Sequence, residues 1–501
     1  MDYLDPKKKK NKSIRLMIGY ALLGIAISMA TVIIVYIANG YNVDRQTGEV
    51  IQNGLIYIDS KPESATVYLN GELQRGSTDA RLVVPAGDYD IELRRDGYHN
   101  WGRSVHLEGG SLRRLTYARL FPQTLDIEPV LEFPTAPASL SQSNDKRWLV
   151  TTHAATPLSM NVVDLDSAVF QLVDLPLPLD LVSVVPADPG TWDIIEWADD
   201  HRTFLAEYKR AGSSEYVLIN RSNPERSVNL GVVFKDKKYS EIFMRDRKKD
   251  QVFLYDGAAK SVYKGNTNDG NVELYESGVI DFTAFGDDAL LFVTATGASE
   301  GHVKAVFRKG DERYPLRDIK ADDEYLLEMA RIGNALVMGI GSESENRVIV
   351  YNDPINALEA NDFSDLPVPT TVLKVDSPQE LSISSDASVI LARGGADGMN
   401  FASHEFEADR TYRFKLEGKI NVEQELKWAE GQYLLVGMAD NGQLVVDFDG
   451  SNQHFLSPST PALASLFDRN LDLQYTFLPN ATPGSTSATM TSTFLRSAAD
   501  R

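Results

Sequence analysis

Gly297-Ala298-Ser299-Glu300-Gly301 has the G-x-S-x-G spacing that can carry a serine nucleophile for acyl transfer. That chemistry needs the serine on a sharp strand-to-helix turn, with an acid and a histidine further along the chain. Here the next residues, His302-Val303-Lys304-Ala305-Val306, read as a strand, so the pentapeptide reads as a hairpin turn. The seven histidines are scattered, with no H-E-x-x-H pair, and His404-Glu405 alone does not make a zinc site. Oxygen-rich turns at Asn266-Thr267-Asn268-Asp269-Gly270-Asn271 and Asp447-Phe448-Asp449-Gly450 lack the closing Glu of a calcium loop and read as hairpin turns. Gly339-Ile340-Gly341 lacks the strand-to-helix setting of a dinucleotide site, and no phosphate loop is present. With no cysteine, disulfides, thiolate nucleophiles and cysteine-held metal centres are excluded. No residue is therefore assigned a catalytic, cofactor-binding or metal-binding role, and no cofactor is expected.

The chain carries a net charge of −21 over 501 residues, yet residues 1–15 hold six basic and two acidic side chains. The acidity lies beyond them, and an acidic surface disfavours nucleic acid as a partner. From Leu16 through Ile25 and Val35 to Ala38, 23 residues run without a charge, directly after Lys7, Lys8, Lys9, Lys10, Lys12 and Arg15. At about 1.5 Å per residue this run reaches roughly 34 Å, enough to cross a hydrocarbon core of about 30 Å. The run is longer than a signal peptide's apolar region and is followed by Asn39-Gly40-Tyr41, so it reads as an uncleaved signal anchor. Flanking lysines collect on the cytoplasmic side. The expectation is a single-pass cell-membrane protein with a cytoplasmic tail at 1–15, a transmembrane helix at 16–38, a linker at 39–53 and the bulk of the chain extracytoplasmic.

Residues 54–120 alternate in short apolar stretches separated by turn chemistry, the pattern of a small all-β module. Leu55–Ser60 and Thr66–Leu69 read as strands, followed by the tight-turn pair Asn70-Gly71. Arg81–Val84 and Tyr89–Arg94 follow, then a pair of strands near Arg103–Leu107 and Leu112–Tyr117. The segment resembles a PEGA domain. Its motif here is Pro62-Glu63-Ser64-Ala65, with Asn70-Gly71, then Gly87 before Tyr89, then Gly97-Tyr98. Ser64 stands where the family has Gly, and Thr78-Asp79 where it has Thr-Pro. The resemblance implies a surface or envelope-associated β-sandwich without known catalysis, in which the motif residues fix turns and packing.

Residues 121–501 repeat a unit of polar turn then apolar strand. The turns fall at Asn144-Asp145, Asp199-Asp200, Lys249-Asp250, Asp287-Asp288, Gly333-Asn334, Ser385-Asp386, Glu430-Gly431 and Asp468 to Asn470. Spacings of roughly 38–55 residues suit four-stranded propeller blades. Trp197-Ala198-Asp199-Asp200 and Trp428-Ala429-Glu430-Gly431 resemble the Trp-Ser-x-Asp turns of TolB-type and WD-like propellers. The fold class expected is mainly β: one transmembrane helix, a PEGA-like β-sandwich, and a β-propeller of seven or eight blades, with 124–133 able to supply a closing strand.

The functional expectation is a non-enzymatic envelope protein, held in the membrane by one helix, that presents a binding or scaffolding surface to a protein or glycan partner. The alternative is a glycan-active enzyme that uses carboxylates of the propeller's central channel.

Overall fold

The uncharged run lies in one helix, α1 (Pro6–Ala38). The computed structural model describes residues 6–38, 40–43, 50–154, 156–185, 187–235, 237–322, 324–360, 366–416, 420–422, 424–438, 442–458, 463, 465–480 and 486–500. The helix starts ten residues ahead of the apolar run, because a proline suits a first turn and lysines are good helix formers. The tail expected at 1–15 is thus helical from Pro6; residues 1–5 and the side chains of Lys7, Lys8, Lys9, Lys10 and Lys12 lie outside the described part. Leu16, Ile25 and Val35 are exposed along it. From Ser13 to Ala38 the helix is long and apolar enough to cross a membrane, and none of it is buried against protein.

The span 39–53, expected as a linker, carries strands instead. Strand β1 (Tyr41–Val43) pairs antiparallel with the start of β2 (Val50–Lys61), and the Asn53 amide donates to the Gly40 carbonyl at 2.8 Å. Residues 39 and 44–49 lie outside the described part. These strands belong to the first of two units, which divide between Gln123 and Thr124.

The first unit adds β3 (Thr66–Leu69), β4 (Glu72–Ser77), β5 (Ala80–Pro85), β6 (Gly87–Arg94), β7 (Trp101–Leu107) and β8 (Leu112–Arg119). One sheet runs β1-β2-β5 with β8 on the other side of β2; the second runs β4-β3-β6-β7. Ile56, Ile58, Val67, Leu93, Trp101 and Leu115 are fully buried in its core. The expected pairing of the last two strands is corrected here: β7 pairs with β6, whereas β8 lies parallel to β2, with Leu55 opposite Leu112. Alternation marks both strands, but the free edge of β2, which places Leu115 and Ala118 in the core, takes β8.

The motif residues fix turns. Ser64 adopts φ 65°, the left-handed conformation that glycine takes freely, and its amide donates to the Thr78 carbonyl at 2.9 Å. The Thr78 hydroxyl accepts from the Ala65 amide at 2.9 Å and lies 2.6 Å from the Ser60 hydroxyl. Lys61-Pro62 and Thr78-Asp79 are cis. Asn70 and Gly71 have φ of 51° and 80°, and Gly97 has 82°. Tyr98 is buried, while Tyr89 donates its hydroxyl to the Pro85 carbonyl at 2.7 Å.

A Cβ at Gly71 would meet nothing within 4 Å, so only the backbone resists a side chain there. A β-branched residue at positive φ costs about 1–2 kcal/mol or more. Gly71→Val is therefore expected to lower the module's calorimetric transition by several degrees; an unchanged transition would show that the turn does not hold positive φ.

In the second unit eight antiparallel four-stranded sheets follow one another as blades. Their first strands are Ser139–Gln142, Thr191–Trp197, Glu241–Arg245, Val279–Phe285, Tyr325–Ile332, Pro378–Ile383, Lys427–Glu430 and Leu466–Phe467. Blades 1 to 7 each take four strands in chain order. Blade 8 takes three, at 466–467, 473–479 and 488–494, and its fourth is β9 (Asp126–Phe133), which precedes blade 1. Phe133 sits opposite Ala488 and Asp126 opposite Phe494. Among the described residues, eight blades close the ring.

Apolar clusters fill the gaps between blades. Phe204 and Trp192 of blade 2 pack with Val150 and Met160 of blade 1. Phe133 and Tyr475 of blade 8 pack with Leu149 and Val163 of blade 1. Blades 7 and 8 also meet through a buried polar contact, in which the Gln474 amide nitrogen donates to Gln443 Oε1 at 3.2 Å.

The polar turns join first to second strands as expected, save in blade 3. There the turn is Asp246-Arg247, both at φ 51°, and Lys249-Asp250 fall inside the second strand. Two left-handed residues close a hairpin with the right twist, which a Lys-Asp pair does not favour.

Candidate functional site: inner strands and an inter-blade cleft

The first strands of blades 1 and 2, 2 and 3, 4 and 5, and 5 and 6 touch one another, and in blades 2 to 6 each first strand carries an acid: Glu196, Glu241, Asp281, Glu328 and Glu380. Burial raises the proton affinity of all five. For Glu328, burial together with the charge of Glu380 pushes the pKa up to about 7. Lys427, on the first strand of blade 7, is pulled down by burial, against the opposing charge of Glu425.

Two of the acids reach beyond their own blade. Glu196 accepts from the Met244 amide of blade 3. Glu380 accepts from the Leu426 amide ahead of blade 7 at 2.8 Å and pairs with Arg393 at 2.7 Å. Glu196 so ties blade 2 to blade 3, and Glu380 ties blade 6 to the segment ahead of blade 7.

The two Trp-Ala turns do the same work. Trp197 donates its indole N–H to Ser141 of the preceding blade at 3.0 Å, and Trp428 donates to Ser382 at 2.8 Å. Two residues after each of those serines, a second serine begins the same local network. Ser143 bonds Asp145 and caps the Trp148 amide; Ser384 bonds Asp386 and caps the Val389 amide. The residue after each Asp, Lys146 or Ala387, is left-handed. Ser-x-Asp with a left-handed successor is the physical content of the repeat.

The other chemistry-bearing motifs fall where hairpins need them. Gly297 and Gly301 are left-handed, at φ 72° and 73°, in the loop between two strands of blade 4, and His302 Nδ1 lies 3.0 Å from the Glu300 carbonyl. No helix follows Ser299. The 266–271 loop closes on its own backbone, with Gly270 N donating to Asn266 O at 2.9 Å. Asp447 is buried and accepts from Asn452 at 2.8 Å. Gly339 and Gly341 lie within a blade 5 strand. Among the described residues no group of three His, Asp or Glu side chains could hold a metal ion.

Sequence reasoning missed an open cleft of about 480 Å³ between blades 2 and 3, lined by Tyr216, Lys235, Lys237, Lys238 and Tyr239. The three lysines are exposed. Lys237 donates to the Tyr263 hydroxyl at 2.6 Å and stands 4.1 Å from that ring's centre. Glu215, also on the wall, is engaged by the Ser183 amide at 3.0 Å and by Asn229 at 2.8 Å. The signal was present as Lys-Asp-Lys-Lys-Tyr at 235–239, conspicuous in a chain of net charge −21.

With this geometry in view, comparison with known proteins adds the following. The PEGA domain family matches residues 53–118. No curated protein matches the chain. Among solved structures it is similar to the C-terminal WD40 domain of Sif2, at 10% identity and a TM-score of 0.48, covering 74% of this chain and 99% of that one. It is also similar to the Dos1 propeller, at 11% identity and a TM-score of 0.46, covering 73% and 95%. Residues 53–118 thus form a PEGA module, which follows an apolar N-terminal helix and precedes the blades of the second unit.

Proposed function

We propose that this chain is a non-enzymatic cell-envelope protein, anchored by α1 with its N-terminus cytoplasmic, that presents an extracytoplasmic binding surface to a protein or a wall polymer. The observation that carries this reading is the use made of two inner-strand carboxylates: Glu196 and Glu380 accept backbone N–H groups beyond their own blade and so serve as structural ties. The lysine-edged cleft then offers the recognition chemistry, three ammonium groups beside tyrosine rings, suited to an anionic partner. Full-length protein in detergent is expected to retain acidic envelope polymers. Lys235→Glu, Lys237→Glu and Lys238→Glu together are expected to weaken retention about tenfold at physiological salt. Equal retention by the triple variant would remove the cleft from the reading.

One observation favours the glycan-active alternative. Glu328, at about 7, keeps a proton near neutrality beside Glu380, as a general acid facing a second carboxylate must. Release of sugars from wall polymers by the wild type, abolished by Glu328→Gln, would establish the enzyme and overturn the binding reading.

A further inference from the structure

The outward face of the β1-β2-β5/β8 sheet changes character row by row. Leu55 on β2 sits opposite Val83 on β5 and Leu112 on β8, and Val83 and Leu112 are 67% and 46% exposed. Two residues further along β2, Tyr57 sits between Arg81 and Arg114, with the Arg81 guanidinium 5.7 Å from the Tyr57 ring centre. An apolar row is thus followed, about 7 Å on, by an Arg-Tyr-Arg row.

The apolar row lies at the foot of the helix. Gly40 bonds back to Ile37 in the last turn of α1, and Asn53, two residues before Leu55, bonds to Gly40. Ile37 and Ala38 share an open cleft of about 680 Å³ with Leu55 and Val83. A face of this kind, continuous with an anchor, matches the profile of a bilayer surface: apolar groups at the acyl boundary, tyrosine at the interface, arginines at phosphate depth. Residues 54–120 carry nine basic and nine acidic side chains, so the module lacks the acidity that would repel anionic headgroups.

We propose that this sheet face docks on the outer surface of the bilayer that α1 enters, with Val83, Leu55 and Leu112 inserted at the headgroup boundary and Arg81 and Arg114 on lipid phosphates. The inference rests on the anchor reading above. The buried patch is small, and it suffices because the helix already holds the face at the membrane, so docking is effectively intramolecular.

The chain has no cysteine, which makes site-specific labelling direct. Val83→Cys, Leu112→Cys, Leu73→Cys on β4 and Ile27→Cys in α1 would each carry a spin label on the full chain, reconstituted in bilayers of phosphatidylglycerol and phosphatidylcholine. Labels at 83 and 112 are expected to be more accessible to oxygen than to a water-soluble nickel chelate, at depths of about 5–10 Å, with the reverse order at 73. Adding Arg81→Glu and Arg114→Glu is expected to return labels 83 and 112 to the aqueous order. Aqueous accessibility at 83 and 112 equal to that at 73, with label 27 in lipid, would overturn the docking and leave the anchor standing. Protection from both reagents would overturn it in favour of a protein partner or a second copy. An aqueous label at 27 would remove the anchor itself.

Discussion

Replacing Phe133 by alanine is expected to destabilise the propeller by about 3–5 kcal/mol, the usual cost of emptying a fully buried phenylalanine site. Phe133 is the last residue of β9, fully buried, with its ring edge-on to Phe477 at 5.4 Å. It fills the seam where blade 8 meets blade 1, beside Leu149, Val163, Tyr475 and Met490. It also ends the strand that gives blade 8 its fourth member. Weakening this strand exposes a sheet edge, so aggregation should accompany the loss. Ile127 on the same strand is 41% exposed, and Ile127→Ala should stay within about 0.5 kcal/mol. Urea unfolding of the two variants measures the difference. If Phe133→Ala unfolds alongside Ile127→Ala, the ring does not depend on its closing strand.

Lowering the pH from 8 to 5 is expected to stabilise the propeller through Glu328, opposite to the usual behaviour of paired carboxylates. In the fold Glu328 is pushed up to about 7, above the ordinary value of 4.5, so the folded state binds the extra proton. This contribution is fully present below about pH 4.5 and is lost as the pH rises through 7, at most about 3 kcal/mol. Glu196, Glu241, Asp281 and Glu380 are raised too and add in the same direction. Asp145, Asp164 and Asp200 are lowered, so their contributions are lost only as the pH falls below the ordinary Asp range. His404 opposes within the window, because burial lowers its pKa and keeps it neutral in the fold. Comparing wild type with Glu328→Gln cancels these common terms. The variant should melt higher than the wild type at pH 8, and the gap should close by pH 5. A constant gap across the range would mean that Glu328 titrates normally.

Features whose causes lie within a few residues were legible in the sequence. Positive φ at Asn70-Gly71 follows from residue types that tolerate it. The Ser143-x-Asp145 and Ser384-x-Asp386 turns follow from side chains that bond their own backbone. Blade 3 escaped by three residues because Asp246-Arg247 is an unusual left-handed pair and Lys249-Asp250 looked more like a turn. The lysine cleft escaped because Tyr216 lies on a blade 2 strand and Lys235 in the segment leading to blade 3, and charge runs say nothing of what stands across from them.

By itself, then, the sequence determined the long apolar helix, the PEGA module and the blade repeat, since an uncharged run, local turn chemistry and alternation act over short stretches of chain. Only the tertiary structure decided that β8 joins β2 and that β9 pairs with 488–494 to complete blade 8. The physical reason is range. Residues 133 and 488 pair only because seven blades stand between them and turn the ring closed, and no local preference at either position records that geometry.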